Sequence, residues 1–164
     1  MILSIIIPLY NEQETILELL YKIEKLKNIN KEIIIIDDCS TDNSLDMLKN
    51  YQKKSNIKII EHEKNLGKGA AIISGKKYVT GDVVIIQDAD LEYDPNDYNR
   101  LINPFYKTDA QVVYGSRFMG GDYVRLHYFW HFIANKLLTT MTNIFTNLNM
   151  TDMETGYKVF RNEC

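Results

Sequence analysis

The sequence predicts an α/β domain: a mostly parallel central sheet with helices on both faces. Three observations predict it. Short runs at 3–7, 33–36, 57–60 and 83–86 are apolar almost throughout, as strands covered on both faces are. Between them lie segments of helical length and spacing, so the repeating unit is strand, right-handed crossover helix, parallel strand. Polar motifs follow the strands directly, and in such sheets ligands bind beyond the carboxyl ends of the strands.

Each element follows in order. Residues 3–7 form a strand that Pro8 is expected to end. Residues 12–27 have helix spacing, with Ile16, Leu19, Leu20, Ile23 and Leu26 on one face. Residues 33–36 form the second strand and run into Asp37-Asp38-Cys39-Ser40-Thr41-Asp42. Ser40 or Thr41 reads as the N-cap of a helix to about residue 54, with Leu45, Leu48 and Tyr51 facing inward. The third strand is 57–60. Asn65-Leu66-Gly67-Lys68-Gly69 is a loop, and 70–79 is a helix of small residues suited to close packing on a sheet. The fourth strand is 83–86, Pro95 opens a helix to about Tyr106, and 111–114 is a further strand.

The last third differs. From 124 to 148, Leu126, Trp130, Ile133, Leu137, Met141, Ile144 and Leu148 recur at steps of three and four. Tyr128, Phe129, Phe132 and Phe145 widen this stripe, while Asn135, Lys136, Thr139, Asn143 and Asn147 fill the opposite side. A membrane-surface helix has this pattern. So does a helix packed on a core or a dimer face, and the pattern alone favours that second role. It does not fix an oligomeric state.

Composition bounds the function. A chain of 164 residues is one domain, 1–164, with 45% apolar and 25% charged residues, ordinary for a globular protein. A net charge of −3 gives no support for nucleic-acid binding. Two cysteines, Cys39 and Cys164, make neither a disulfide framework nor a zinc pattern, and fit a reducing compartment. His62, His127 and His131 contain no H-E-x-x-H arrangement. Met1 leads straight into a strand-like run, so no signal peptide is expected, and no apolar run reaches membrane-spanning length.

Gln87-Asp88-Ala89-Asp90-Leu91-Glu92 carries the most chemistry. Residues i and i+2 of an extended segment point to one side, so Asp88 and Asp90 can share one hard cation, with Glu92 as a third oxygen donor. Mg²⁺ and Mn²⁺ take such ligands together with substrate phosphates. Alone, the tripeptide reads sooner as an acidic turn with a helix N-cap. Asp37 and Asp38 can accept from a nucleobase N–H or a ribose hydroxyl. The 65–69 loop offers backbone N–H groups and Lys68 to an anion at a helix start, but it is neither a Walker A loop nor a G-x-G-x-x-G fingerprint. Gly115-Ser116-Arg117 brings an arginine able to meet a phosphate with two bonds. Thr151-Asp152-Met153-Glu154-Thr155-Gly156-Tyr157-Lys158 returns two acids late in the chain.

In this order and spacing, these six motifs, with Ile7-Pro8-Leu9-Tyr10-Asn11-Glu12 as the first, resemble the family 2 inverting glycosyltransferases of the nucleotide-diphospho-sugar (GT-A) fold. Within that family they are similar to the dolichyl- and polyprenyl-phosphate mannose or glucose synthases. The resemblance implies transfer of a hexose from GDP-mannose or UDP-glucose to a polyprenyl or dolichyl phosphate. The within-class alternative is a saccharide hydroxyl in envelope polysaccharide synthesis, and a further one is an inactive nucleotide-binding fragment. It implies that Pro8, Tyr10, Glu12, Asp37 and Asp38 line the base and ribose pocket, with Gly67, Lys68 and Asp88 completing the nucleotide site. Asp88, Asp90 and Glu92 would hold Mg²⁺ or Mn²⁺. Arg117 would face a phosphate, and Asp152 or Glu154 would act as base for a hydroxyl acceptor. The 124–148 helix becomes an interface helix leaning on a bilayer, at its cytosolic face. Family members usually continue further, so a chain cut short at its C-terminus is expected.

Overall fold

Consecutive isoleucines bring the first strands together. In the computed structural model, which describes residues 1–52, 57–118 and 129–163, β1 (Leu3–Leu9) pairs in parallel with β2 (Lys31–Asp37) and with β4 (Val83–Ile86), and β2 pairs in parallel with β3 (Ile57–Glu61). β6 (Lys158–Arg161) runs antiparallel to β4, and β5 (Val112–Tyr114) runs antiparallel to β6. The order across the sheet is β3-β2-β1-β4-β6-β5. The parallel sheet therefore carries an antiparallel insertion.

Alternation along β1 divides the core into two layers. Leu3, Ile5, Ile7 and Leu9 face a large cluster with Ile16, Leu19, Leu20 and Ile23 of α1 (Ile16–Lys25), Leu48 of α2 (Ser44–Gln52), and Tyr98, Leu101, Ile102 and Phe105 of α4 (Tyr98–Lys107). Ile6 faces the other side, with Ile34, Ile36, Val84 and Ala71 of α3 (Lys68–Lys76). Each buried Ile or Leu contributes roughly 1.5–3 kcal/mol of apolar transfer. The small residues of α3 act as expected: a Cβ on Gly75 would lie 2.7 Å from Ile36 Cδ1 and 2.8 Å from Ile6 Cγ2.

Several expected boundaries move, and two of them have a plain physical reason. Pro8 does not end β1, which continues to Leu9. Gln87 N–H bonds Ile6 O and Asp38 N–H bonds Leu9 O, so by alternation Pro8 faces the β4 side, past the last β1–β4 pair, Ile6↔Ile86. Its missing N–H removes no ladder bond there. Neither Ser40 nor Thr41 caps α2. The Ser40 hydroxyl accepts from Asn11 N–H at 3.0 Å, and Thr41 N–H donates to Asn11 Oδ1 at 2.7 Å. These residues bind the loop after β1, and α2 starts at Ser44, whose N–H donates to Asp42.

α5 (Phe129–Thr146) turns its polar stripe inward. Asn135 and Thr139 are buried, while Trp130 (74% exposed), Ile144 (72%) and Phe145 (81%) lie open. The pattern-based expectation of an apolar stripe packed on the core is thus reversed within this chain. Residues 124–128 of the expected helix lie outside the described residues. Among those described, no helix is long and apolar enough to cross a membrane.

Candidate active site

Three parallel strands end at one edge, and each leaves the sheet through a residue in the left-handed region: Asn11 (φ 56°) after β1, Cys39 (φ 64°) after β2 and Leu91 (φ 61°) after β4. Only Asn among these tolerates that conformation readily. The three turns and the loop before α3 enclose a cleft of about 330 Å³. Of the residues expected there, Pro8, Tyr10, Glu12, Asp38, Gly67, Lys68, Asp88 and Asp90 line it.

Asp37 does not line it. Its side chain is buried, one oxygen accepting from Ser40 N–H at 3.2 Å and the other without a partner among the described residues. Neighbouring residues at a strand end face opposite sides, so only one of the two aspartates reaches the cleft. Glu92 also falls outside it. β4 stops at Ile86, and the left-handed Leu91 breaks the i+2 series, so Glu92 N–H instead donates to Asp90 Oδ1 at 3.0 Å. No group of three His, Cys, Asp or Glu suited to a metal occurs among the described residues. Glu92 thus does not line the cleft beside Asp88 and Asp90.

Asp88 and Asp90 still fit a hard divalent cation. Both line the cleft, and Asp88 Oδ1 already faces a cation, the Lys68 ammonium at 2.6 Å. Two carboxylates at a cleft wall are a donor set for Mg²⁺ or Mn²⁺ with substrate oxygens beside them.

The loop before α3 behaves differently from its expected role. Leu66 N–H and Gly67 N–H donate to Asp38 at 2.9 and 2.7 Å, so these amides serve the chain's own carboxylate and not the anion of a ligand. Gly67 sits at φ 86°, where a side chain would be strained. Burial pushes the Asp38 carboxyl up, but these two amides and His62 together hold it below its ordinary value.

A second cluster forms beside β5 and β6. Arg117 Nε and Nη2 donate to Asp152 Oδ2 and Oδ1 at 2.8 and 2.9 Å, and Arg117 N–H adds a bond of 3.1 Å. Asn135 Nδ2 donates to Asp152 at 2.9 Å and to Glu154 at 3.2 Å, and Thr139 Oγ1 donates to Asn135 at 2.9 Å. Burial pushes Asp152 up, yet Arg117 and Asn135 outweigh it and hold the carboxyl at about 2. A carboxylate so occupied is a poor proton acceptor, so Asp152 is the residue that fixes Arg117 and not a base. Glu154 stays exposed. Arg117, Asp152 and Glu154 do not line the cleft.

Gln87 links the two regions. Its side chain is fully buried, donates to the carbonyls of Asp88 and Tyr93, and accepts from the hydroxyls of Tyr98 and Tyr157 at 2.7 and 2.9 Å. Gly156 N–H donates to Tyr93 at 2.8 Å, and a Cβ there would meet the Tyr93 ring. Gln87, His62 and Asn135 escape a reading of the sequence. A glutamine closing an apolar strand, and an Asn and Thr spaced i and i+4, are the only traces they leave.

Comparison with known proteins follows this geometry. The sequence model of a family described as glycosyl transferase family 2 matches residues 4–164. The dolichol-phosphate mannosyltransferase of Pyrococcus furiosus is 34% identical over 134 residues, 81% of this chain and 38% of that protein. The chain thus spans well under half the length of this curated relative. Among solved structures, the mannosyltransferase PcManGT of Pyrobaculum calidifontis, in complex with GDP-Man and Mn²⁺, superposes with a TM-score of 0.72 at 18% identity, over 98% of this chain and 44% of that one. S. aureus TarS 1-349 in complex with UDP gives 0.57 at 30% identity, over 68% and 34%.

Proposed function

The chain belongs to glycosyl transferase family 2 and has the GT-A fold, and from that premise we propose that it transfers a hexose from a nucleotide diphospho-sugar to a polyprenyl or dolichyl phosphate, with inversion, at the cytosolic face of a membrane. The observation that carries the donor half is the cleft in which Tyr10, Asp38, Lys68, Asp88 and Asp90 meet. Tyr10 is half-exposed and offers a ring to a base. Asp38 offers a fixed acceptor to a ribose hydroxyl or base N–H. Asp88 and Asp90 would hold the divalent ion, which when bound offsets the charge of the diphosphate leaving group. Lys68 brings a further positive charge to the same wall.

The acceptor half rests on α5 and Arg117. The outward apolar face of α5, with Phe129, Trp130 and Phe145 exposed, supports peripheral contact with a bilayer. Arg117, fixed by Asp152, is the cation we assign to a phosphate of acceptor or donor. A lipid phosphate is already anionic and needs no base, in keeping with an Asp152 that cannot serve as one. A second reading, transfer to a saccharide hydroxyl from a UDP-sugar, draws support from the likeness to UDP-bound TarS, and Glu154 would then be its base.

The test is calorimetric. GDP and UDP titrated into the chain should bind at least about tenfold more tightly with Mn²⁺ than with chelator, ~1.4 kcal/mol, and Asp90→Ala should lose that gain. Metal-enhanced affinity retained in Asp90→Ala would overturn the metal assignment. Nucleotide binding with hexose transfer to neither polyprenyl phosphate nor a saccharide hydroxyl would reduce the chain to a nucleotide-binding fragment.

A further inference from the structure

His62 is hydrogen-bonded to one residue that lines the cleft, Asp38. The residue follows β3, and its backbone N–H donates to Asp37 O at 2.9 Å, extending the β2–β3 ladder and fixing the root of the ring. Nδ1 lies 2.7 Å from Asp38 Oδ1 and Nε2 lies 2.9 Å from Ser74 Oγ on α3. The ring is almost wholly buried. A carboxylate only accepts, so the network assigns a proton to Nδ1, while the Ser74 hydroxyl can serve Nε2 as donor or acceptor.

Without that ring, Asp38 would be held by two amides of a single loop, Leu66 and Gly67. With it, the carboxylate is tied to β3 and, through Ser74, to the helix whose first residue, Lys68, lines the cleft. Metal-ligating side chains are oriented in this way by their outer partners, and a binding carboxylate has the same need. We propose that His62 is a positioning residue: held between Asp38 and Ser74, it fixes the Asp38 carboxylate and the Leu66-Gly67 turn in the orientation that receives the nucleoside part of the donor. This rests on the reading of the cleft as a nucleotide site.

Two measurements on the intact chain separate the proposal from that reading. Amide hydrogen exchange, followed by NMR without nucleotide, should quicken at Leu66 and Gly67 in His62→Ala while the β1–β2 ladder keeps its protection. Titration with GDP and UDP in Mn²⁺ should show His62→Ala weakened about tenfold, ~1.4 kcal/mol. His62→Asn, which keeps an N–H donor near the Nδ1 position, should recover most of that affinity, and Ser74→Ala should fall between. A thermal melt of each variant confirms the fold; should His62→Ala fail to fold, His62→Asn and Ser74→Ala carry the comparison. Unchanged exchange at Leu66 and Gly67, wild-type affinity in His62→Ala, or no recovery in His62→Asn would each overturn the proposal. If the wild-type chain binds neither nucleotide, the cleft reading fails and exchange alone decides whether His62 holds the turn.

Discussion

The cleft and the cluster around Asp152 both pair a cation with a carboxylate, and they treat water in opposite ways. Lys68 and Asp88 meet through one contact of 2.6 Å, with side chains 59% and 20% exposed. Arg117 and Asp152 meet through two side-chain bonds, and the Asp152 side chain is fully buried. An open pair is weakly held and exchanges partners readily. A buried one with every oxygen bonded is costly to break. The first arrangement suits a site that receives a ligand, and the second suits a support.

That contrast can be broken by mutation. Arg117→Ala leaves a buried carboxylate short of its cation and should destabilise the chain by roughly 3–5 kcal/mol, read from urea unfolding. Lys68→Ala should change stability by less than about 1 kcal/mol. Equal losses would erase the distinction between the two pairs.

Acid sharpens it. The Asp152 carboxyl is held at about 2, below its ordinary 3.8, so the folded state binds that proton less readily than the unfolded chain. Its contribution is therefore complete above about pH 4 and is lost as pH falls towards about 2. Asp38 is shifted in the same direction and adds to the same loss. Denaturation midpoints measured down the acid limb should fall less steeply in Asp152→Asn than in the wild type. Identical slopes would mean that Asp152 is not the group being titrated.

The smallest effect on stability belongs to the outer face of α5. Trp130→Ser and Phe145→Ser remove exposed side chains and should shift stability by no more than about 0.5 kcal/mol. Co-sedimentation with anionic liposomes should nevertheless drop severalfold. A loss of stability comparable to that of Arg117→Ala, or undiminished liposome binding, would return this face to a packing role.

The same contrast separates what could be read from residues alone. β1 to β4 were readable because runs such as Ile33-Ile34-Ile35-Ile36 have only one comfortable setting, inside a covered sheet. The residues just past those strands pointed to the cleft for the same reason. Asp37 could not be told from Asp38, since both follow the strand and only the pleat decides which faces the ligand. Glu92 depended on an extended backbone that Leu91 interrupts. On α5, periodicity located two stripes but not which of them faces in. Asn135 and Thr139 could be assigned inward only once Asp152 and Met153 stood opposite them. His62 gave no pattern at all, because its partners lie 24 and 12 residues away on separate elements.

The order β3-β2-β1-β4-β6-β5 sets β6, the last strand among the described residues, between two earlier ones. Until 158–161 arrive, β4 has an open edge on that side, and β5 lacks the strand it pairs with. Such edges are where nascent chains stick to one another. The same stretch delivers Tyr157, whose hydroxyl completes the bonding of Gln87 just ahead of Asp88. Synthesis on the ribosome is thus expected to leave the acidic turn after β4 unfinished until the sixth strand emerges, so that closing the sheet and setting the site are one event in time.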